Sequence, residues 1–150
     1  MRHARPITTA PTGKRGSGPL DDLLDHARHL GVNVASRPLG RRRGEYRHAH
    51  RLIVLNSRMS TVLQRSTLAH ELGHAHYADV AVDDPRTHDM QERRANRYAA
   101  RLLITPHAYS AAEALVGPHP GALARELGVA RYIIDAWTPP TTPSLLRVIA

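Results

Sequence analysis

Apolar positions along this chain fall into short periodic blocks separated by Gly, Pro, Asn and Asp. Leu20, Leu23, Leu24, Ala27 and Leu30 recur at the three- and four-residue steps of a helix. Asp21, Asp22 and Asp25 lie toward its start, where the helix dipole favours acid, and Gly31 closes it. Val32-Asn33-Val34 alternates as a strand. Arg41-Arg42-Arg43-Gly44 reads as a hairpin tip joining it to a second extended region, Glu45 to Leu55, whose Leu52-Ile53-Val54-Leu55 run suits a buried strand.

A longer helix is expected from Ser60 to Tyr77, with Val62, Leu63, Leu68, Ala69, Leu72 and Ala75 as its apolar positions and Thr61 with Gln64 as a capping box. An acidic loop, Asp79 to Asp89, contains Pro85 and leads into a helix from Thr87 to Leu103, which Pro106 ends. Pro106 to Val116 forms another short helix. Beyond the break at Gly117-Pro118-His119-Pro120, the segments Gly121–Leu127 and Ala130–Trp137 flank Gly128 with the apolar spacing of a helix-turn-helix. Residues 1–18 have no apolar period and read as a disordered basic arm. Pro139, Pro140 and Pro143 stiffen a tail whose apolar ending, Leu145 to Ile149, is expected to dock on the body or on a partner. The fold class is therefore α+β: a mostly helical core with a small β-sheet over residues 19–116, then a helix-turn-helix-like segment and Pro-rich tail over 117–150.

Composition narrows the chemistry more than the fold. The chain has 150 residues, one domain's worth, and with no Phe its core must be built from Leu, Ile, Val and Ala. It has no cysteine, so thiolate metal sites and disulfides are excluded and His and carboxylate remain as the strong metal donors. The net charge is +8 and arises almost wholly from arginine, which favours phosphate or carboxylate partners. No apolar run has the length of a membrane span and the first residues lack a signal-peptide core, so a cytoplasmic protein with no membrane partner is expected.

Within the long helix lies His70-Glu71-Leu72-Gly73-His74, an H-E-x-x-H pattern. Positions i and i+4 share one helix face, so both histidines can address one ion, and Glu71 stands beside it where a base is needed. The extended H-E-x-x-H-x-x-G-x-x-H pattern requires Gly and His where the chain has Tyr77 and Val80, and is excluded. A carboxylate from the following helix is the other common third ligand. Glu92 is the candidate, with Asp79, Asp83, Asp84, His88 and Asp89 of the loop as rivals. Asn96, one turn beyond Glu92, is placed to accept the spare ring N–H of His70 or His74. His76 points away from the motif face.

Two longer patterns, T-L-A-H-E-L-G-H-A from Thr67 to Ala75 and E-x-x-A-N-x-Y-A-x-x-L-L from Glu92 to Leu103 before a proline, resemble the ImmA/IrrE family of metallopeptidases. The likeness runs from about Leu20 to Pro106. It implies a gluzincin-like, zincin-type core with His70, His74 and Glu92 as zinc ligands and Glu71 as catalytic base. It also implies a peptidase that cleaves a helix-turn-helix repressor in phage, mobile-element or stress-response systems. The chain departs from the family pattern at Tyr98, where Phe is usual, and at Leu102-Leu103-Ile104-Thr105-Pro106, where the proline comes one place late.

The expected chemistry is metal-assisted peptide hydrolysis, with zinc as the default ion and manganese also compatible with His and carboxylate donors. An oxyanion donor is required. Tyr77, His76, His88, Tyr98 and Arg97 are the candidates, and the role stays open at this level. The alternative is a DNA-binding or repressor-binding module with a non-catalytic metal site, drawn from the helix-turn-helix spacing and the basic charge. Against DNA, Ala130 stands where a Ser or Thr cap is usual, and the second helix offers few base-reading side chains.

Overall fold

The computed structural model describes residues 18–139; nearly all of the expected basic arm and the apolar tail ending lie outside them. In order, the elements are α1 (Asp21–His29), β1 (Asn33–Arg37), β2 (Gly44–Arg47), a 3-10 turn (His48–His50), β3 (Leu52–Asn56), α2 (Thr61–His76), α3 (Pro85–Leu103), α4 (Pro106–Val116), α5 (Pro120–Leu127) and α6 (Arg131–Ala136). Helices dominate and the strands form one small mixed sheet, an α+β arrangement. No helix among the described residues is long and apolar enough to cross a membrane.

The sheet has the order β1-β3-β2. Its middle strand, β3, buries Ile53, Val54 and Leu55, as an apolar run covered on both faces should. Here the structure corrects the expected pairing. β1 runs parallel to β3, and the hairpin partner of β3 is β2, paired Gly44↔Leu55 through Arg47↔Leu52. The single extended region expected from Glu45 to Leu55 is thus two strands, reversed by the turn at His48–His50 and by Arg51 in the left-handed region (φ 45°). Polar residues at the reversal gave no break of the Gly or Pro kind. Arg41 to Arg43 therefore belong to a connection that carries the chain past β3. Asn56 pins that connection through its side-chain amide, which donates to the carbonyls of Gly40 (3.0 Å) and Arg42 (2.8 Å).

Helix α2 starts at Thr61, and its cap is Ser60, whose Oγ accepts the Leu63 N–H at 3.3 Å. The expected Thr61–Gln64 box does not form: Ser60 takes the cap position one residue earlier, and the Gln64 amide donates back to the Met59 carbonyl at 2.8 Å. From Ser66 to Ala75 the helix is buried on nearly every side, including Ser66, Thr67 and Glu71. Such a helix is central rather than amphipathic. It packs on α1, the sheet and α3.

Helix α3 begins two residues earlier than expected. Asp84 caps it by accepting the Thr87 N–H at 2.9 Å, and Pro85 occupies the first position, where a missing N–H costs nothing. At the crossing with α2, a Cβ on Gly73 would lie 2.8 Å from the Ala95 Cα. The glycine of the motif is thus what lets the two helices touch at backbone distance. Thr105, the residue that delays the proline, caps α4 through the Ala108 N–H at 3.1 Å.

The last two helices share the core with the rest. Leu123, Ala124, Val129, Ile133 and Ile134 join the same buried cluster as Leu68 and Leu72 of α2. Gly128 turns the chain between them at φ 63°, a conformation that favours glycine. The missing cap at Ala130 is replaced from elsewhere: Ser66 on α2 accepts the Ala130 N–H at 2.8 Å. Helix α6 packs along α3 and so lies beside the motif helix.

Candidate metal centre

Helix α2 places His70 and His74 one turn apart on the face toward α3, and α3 returns Glu92 opposite them. The three donor atoms converge within 4.8 Å of one another. His74 Nε2 lies 3.0 Å from His70 Nε2 and 3.1 Å from Glu92 Oε1, and His70 Nε2 lies 3.4 Å from Glu92 Oε2.

The outer ring nitrogens explain this convergence. His70 Nδ1 donates to Asn96 Oδ1 at 2.8 Å, and His74 Nδ1 donates to Asp79 Oδ2 at 2.9 Å. Both tautomers are thereby fixed with the Nε2 lone pairs turned inward, where two lone pairs and a carboxylate face one another. That set is stable only around positive charge, a proton or a cation, and its His₂-carboxylate composition suits a divalent ion.

The electrostatics say the same. Burial works to lower the His74 pKa, but hydrogen bonds with Glu92 and Asp79 outweigh it and push it up to about 9. Hydrogen bonding with His70 and His74, whose Nε2 atoms donate when protonated, holds Glu92 well below the usual carboxylate range. Glu71 is buried and is moved the other way: desolvation raises its carboxyl above the ordinary value, opposed by His70 and His74. Its Oε1 would lie 3.3 Å from a Cβ on Gly44, which would also meet the Thr67 methyl at 2.8 Å. Glycine at 44 therefore leaves room for Glu71 at the edge of β2, beside the Tyr46 backbone.

Asp79 was only one rival ligand among five in the acidic loop, and its place is different. Ala78 adopts a left-handed conformation (φ 54°) just past α2, and the Asp79 N–H returns to the His74 carbonyl at 2.9 Å. This hooks Asp79 under His74, where Arg94 holds its other oxygen and lies over the Tyr77 ring at 4.5 Å. Asp84 is spent on the α3 cap, and Asp83 and Asp89 are exposed. His88 lines the cleft from an exposed position beside Asp89.

The expected oxyanion candidates mostly lie elsewhere. His76, Tyr77 and Tyr98 gather into an aromatic cluster with ring centroids 4.8–6.2 Å apart. The Tyr98 hydroxyl meets His26 Nε2 of α1 at 2.5 Å, which gives the tyrosine at this Phe position a partner. Arg97 lines an outer groove rather than the cleft beside Glu71. Tyr132 of α6, absent from that candidate set, does border the cleft, together with Arg43, Thr67, His70, Glu71 and Glu92. Burial raises its phenol above the ordinary pKa. No spacing rule links residue 132 to residue 70, so only the packing of α6 reveals it.

A family model described as Peptidase_M78, IrrE N-terminal-like domain, matches residues 27–136. The matched span includes α2, α3 and α6. No curated protein matches the chain.

Proposed function

The chain belongs to the Peptidase_M78 family of IrrE N-terminal-like metallopeptidase domains, and from that premise we propose that it is a zinc-dependent endopeptidase acting on a helix-turn-helix transcriptional repressor. The observation that carries the catalytic part is the convergence of His70, His74 and Glu92 beside the buried carboxyl of Glu71 on an open cleft. Three protein donors, with Asn96 and Asp79 orienting the histidines, leave a coordination position for water or substrate, as catalytic sites do. A zinc ion held there would lower the pKa of water toward ~7 and polarise a peptide carbonyl; manganese fits the same donors.

The protein's own groups then divide the remaining work. Glu71 takes a proton from the attacking water and delivers it to the leaving amine, a task suited to a carboxyl whose pKa is raised by burial. A substrate strand lies along β2, the sheet edge that borders the cleft through Gly44, Glu45 and Tyr46. An edge of this kind offers backbone hydrogen bonds to any extended peptide.

The repressor as substrate is supported by the resemblance to the ImmA/IrrE family, whose members release silenced phage, mobile-element or stress-response genes by this cleavage. A DNA-binding role has less behind it. On α6, Ile133 and Ile134 are buried, Tyr132 borders the cleft, and the outward Arg131 and Asp135 lie 3.8 Å apart. The test is incubation with the helix-turn-helix repressor encoded nearest the gene, comparing wild type with Glu71→Gln at matched metal content. A defined fragment from wild type alone is expected. An intact repressor beside metal-loaded wild type overturns the substrate assignment.

A further inference from the structure

We propose that Tyr132 is a catalytic residue of this site, donating its phenolic hydrogen bond to the peptide carbonyl oxygen as that oxygen becomes negative. The assignment rests on the peptidase reading and adds the donor that such a reaction needs. When water adds, its oxygen bonds to the carbonyl carbon and the π electrons move onto the carbonyl oxygen. When the C–N bond breaks, those electrons return and the nitrogen leaves with the proton carried by Glu71. A donor fixed beside the carbonyl oxygen throughout stabilises the charged stage and keeps its own proton.

Three observations place Tyr132 there. Its ring stands edge-on to His70 with centroids 6.3 Å apart. Its phenol lies beside Thr67 and within electrostatic reach of both Glu71 and Glu92. The Arg43 guanidinium lies over its ring, 5.7 Å from the centroid, and adds positive potential to that wall of the cleft.

The residue is also held, which a donor must be to act without reorganisation. Its neighbours Ile133 and Ile134 are buried in the core, and the start of α6 is tied to the motif helix by the Ser66–Ala130 hydrogen bond. His88, another cleft donor, is 59% exposed in its side chain and lies 3.9 Å from Asp89. Asn96 is committed to His70.

The test uses the full chain loaded with cobalt(II) and acetohydroxamic acid as the probe, whose carbonyl oxygen stands in for that of the peptide. Visible spectra report binding without requiring turnover. Loss of one hydrogen bond to a charged oxygen predicts that Tyr132→Phe weakens the probe by about tenfold or more. Its unliganded spectrum, metal content and melting temperature should match wild type. Equal probe affinity in the two proteins overturns the assignment. A changed unliganded spectrum or a lower melting temperature in Tyr132→Phe also overturns it, by making the hydroxyl structural. Failure of wild type to bind cobalt or the probe overturns the peptidase reading itself, and is distinguishable because it needs no variant.

Discussion

His74 Nδ1 donates to Asp79 Oδ2 at 2.9 Å, although Asp79 lies past the end of the helix that carries the histidine. The contact exists because Ala78 takes a left-handed conformation and turns the chain back beneath α2. Partners of this kind fix the tautomer and raise the basicity of a metal-binding imidazole.

Replacing Asp79 by Ala should therefore weaken zinc binding about 10–100-fold, measured by competition with a chelating dye. Asp79→Asn, which keeps an acceptor, should fall between that variant and wild type. Unchanged affinity in Asp79→Ala would show that His74 does not depend on this contact.

Gly73→Ala should destabilise the fold by about 1–3 kcal/mol, the usual range for overpacking. The new Cβ would lie 2.8 Å from the Ala95 Cα and 3.0 Å from its carbonyl oxygen, so backbone must move. Because α2 and α3 carry the two halves of the metal site, zinc affinity should fall together with the urea midpoint. A normal midpoint would mean that the helices separate at no cost.

Glu45 sets an acid limit on stability. Burial raises its pKa, but hydrogen bonding and charge from Arg47, with Arg42 and Arg37, bring it below its ordinary value of 4.5. A depressed folded value means the carboxylate stabilises the fold above pH 4.5 and loses that contribution as pH falls through the lower folded value. Glu45→Gln should thus cost about 0.5–1 kcal/mol at neutral pH and converge on wild type in acid. Parallel melting curves across that range would remove Glu45 from the acid transition.

Tyr98→Phe restores the residue usual in the resembling family and removes the hydroxyl that meets His26 at 2.5 Å. The expected loss is about 1 kcal/mol in chemical denaturation, with zinc binding unaffected because the aromatic cluster lies outside the metal cleft. A drop in zinc affinity would show that the cluster and the metal site are coupled.

What could be read in advance was whatever depends on local spacing. His70 and His74 share a face by helix geometry alone, and Glu92 with Asn96 shows the same one-turn logic on the next helix. The β2–β3 hairpin was hidden because alternation looks the same in one long strand as in two, and the reversal uses His48, Ala49, His50 and Arg51 rather than Gly or Pro. Asp79 was visible as an acid near the site. Its position under His74 depends on a non-glycine residue with φ 54°, which composition does not announce. Tyr132 and Ser66 are the extreme cases, since their roles come only from where α6 docks.

The hydrogen bond between Ser66 and Ala130 spans 64 residues of chain. Synthesis proceeds from the N-terminus, so the motif helix exists before the helix that completes its cleft has been made. Elements α2 and α3 carry the metal donors, but the helix bearing Tyr132 is made after them and shares their buried core. Among the described helices, the one that completes the cleft is therefore the last to be synthesised.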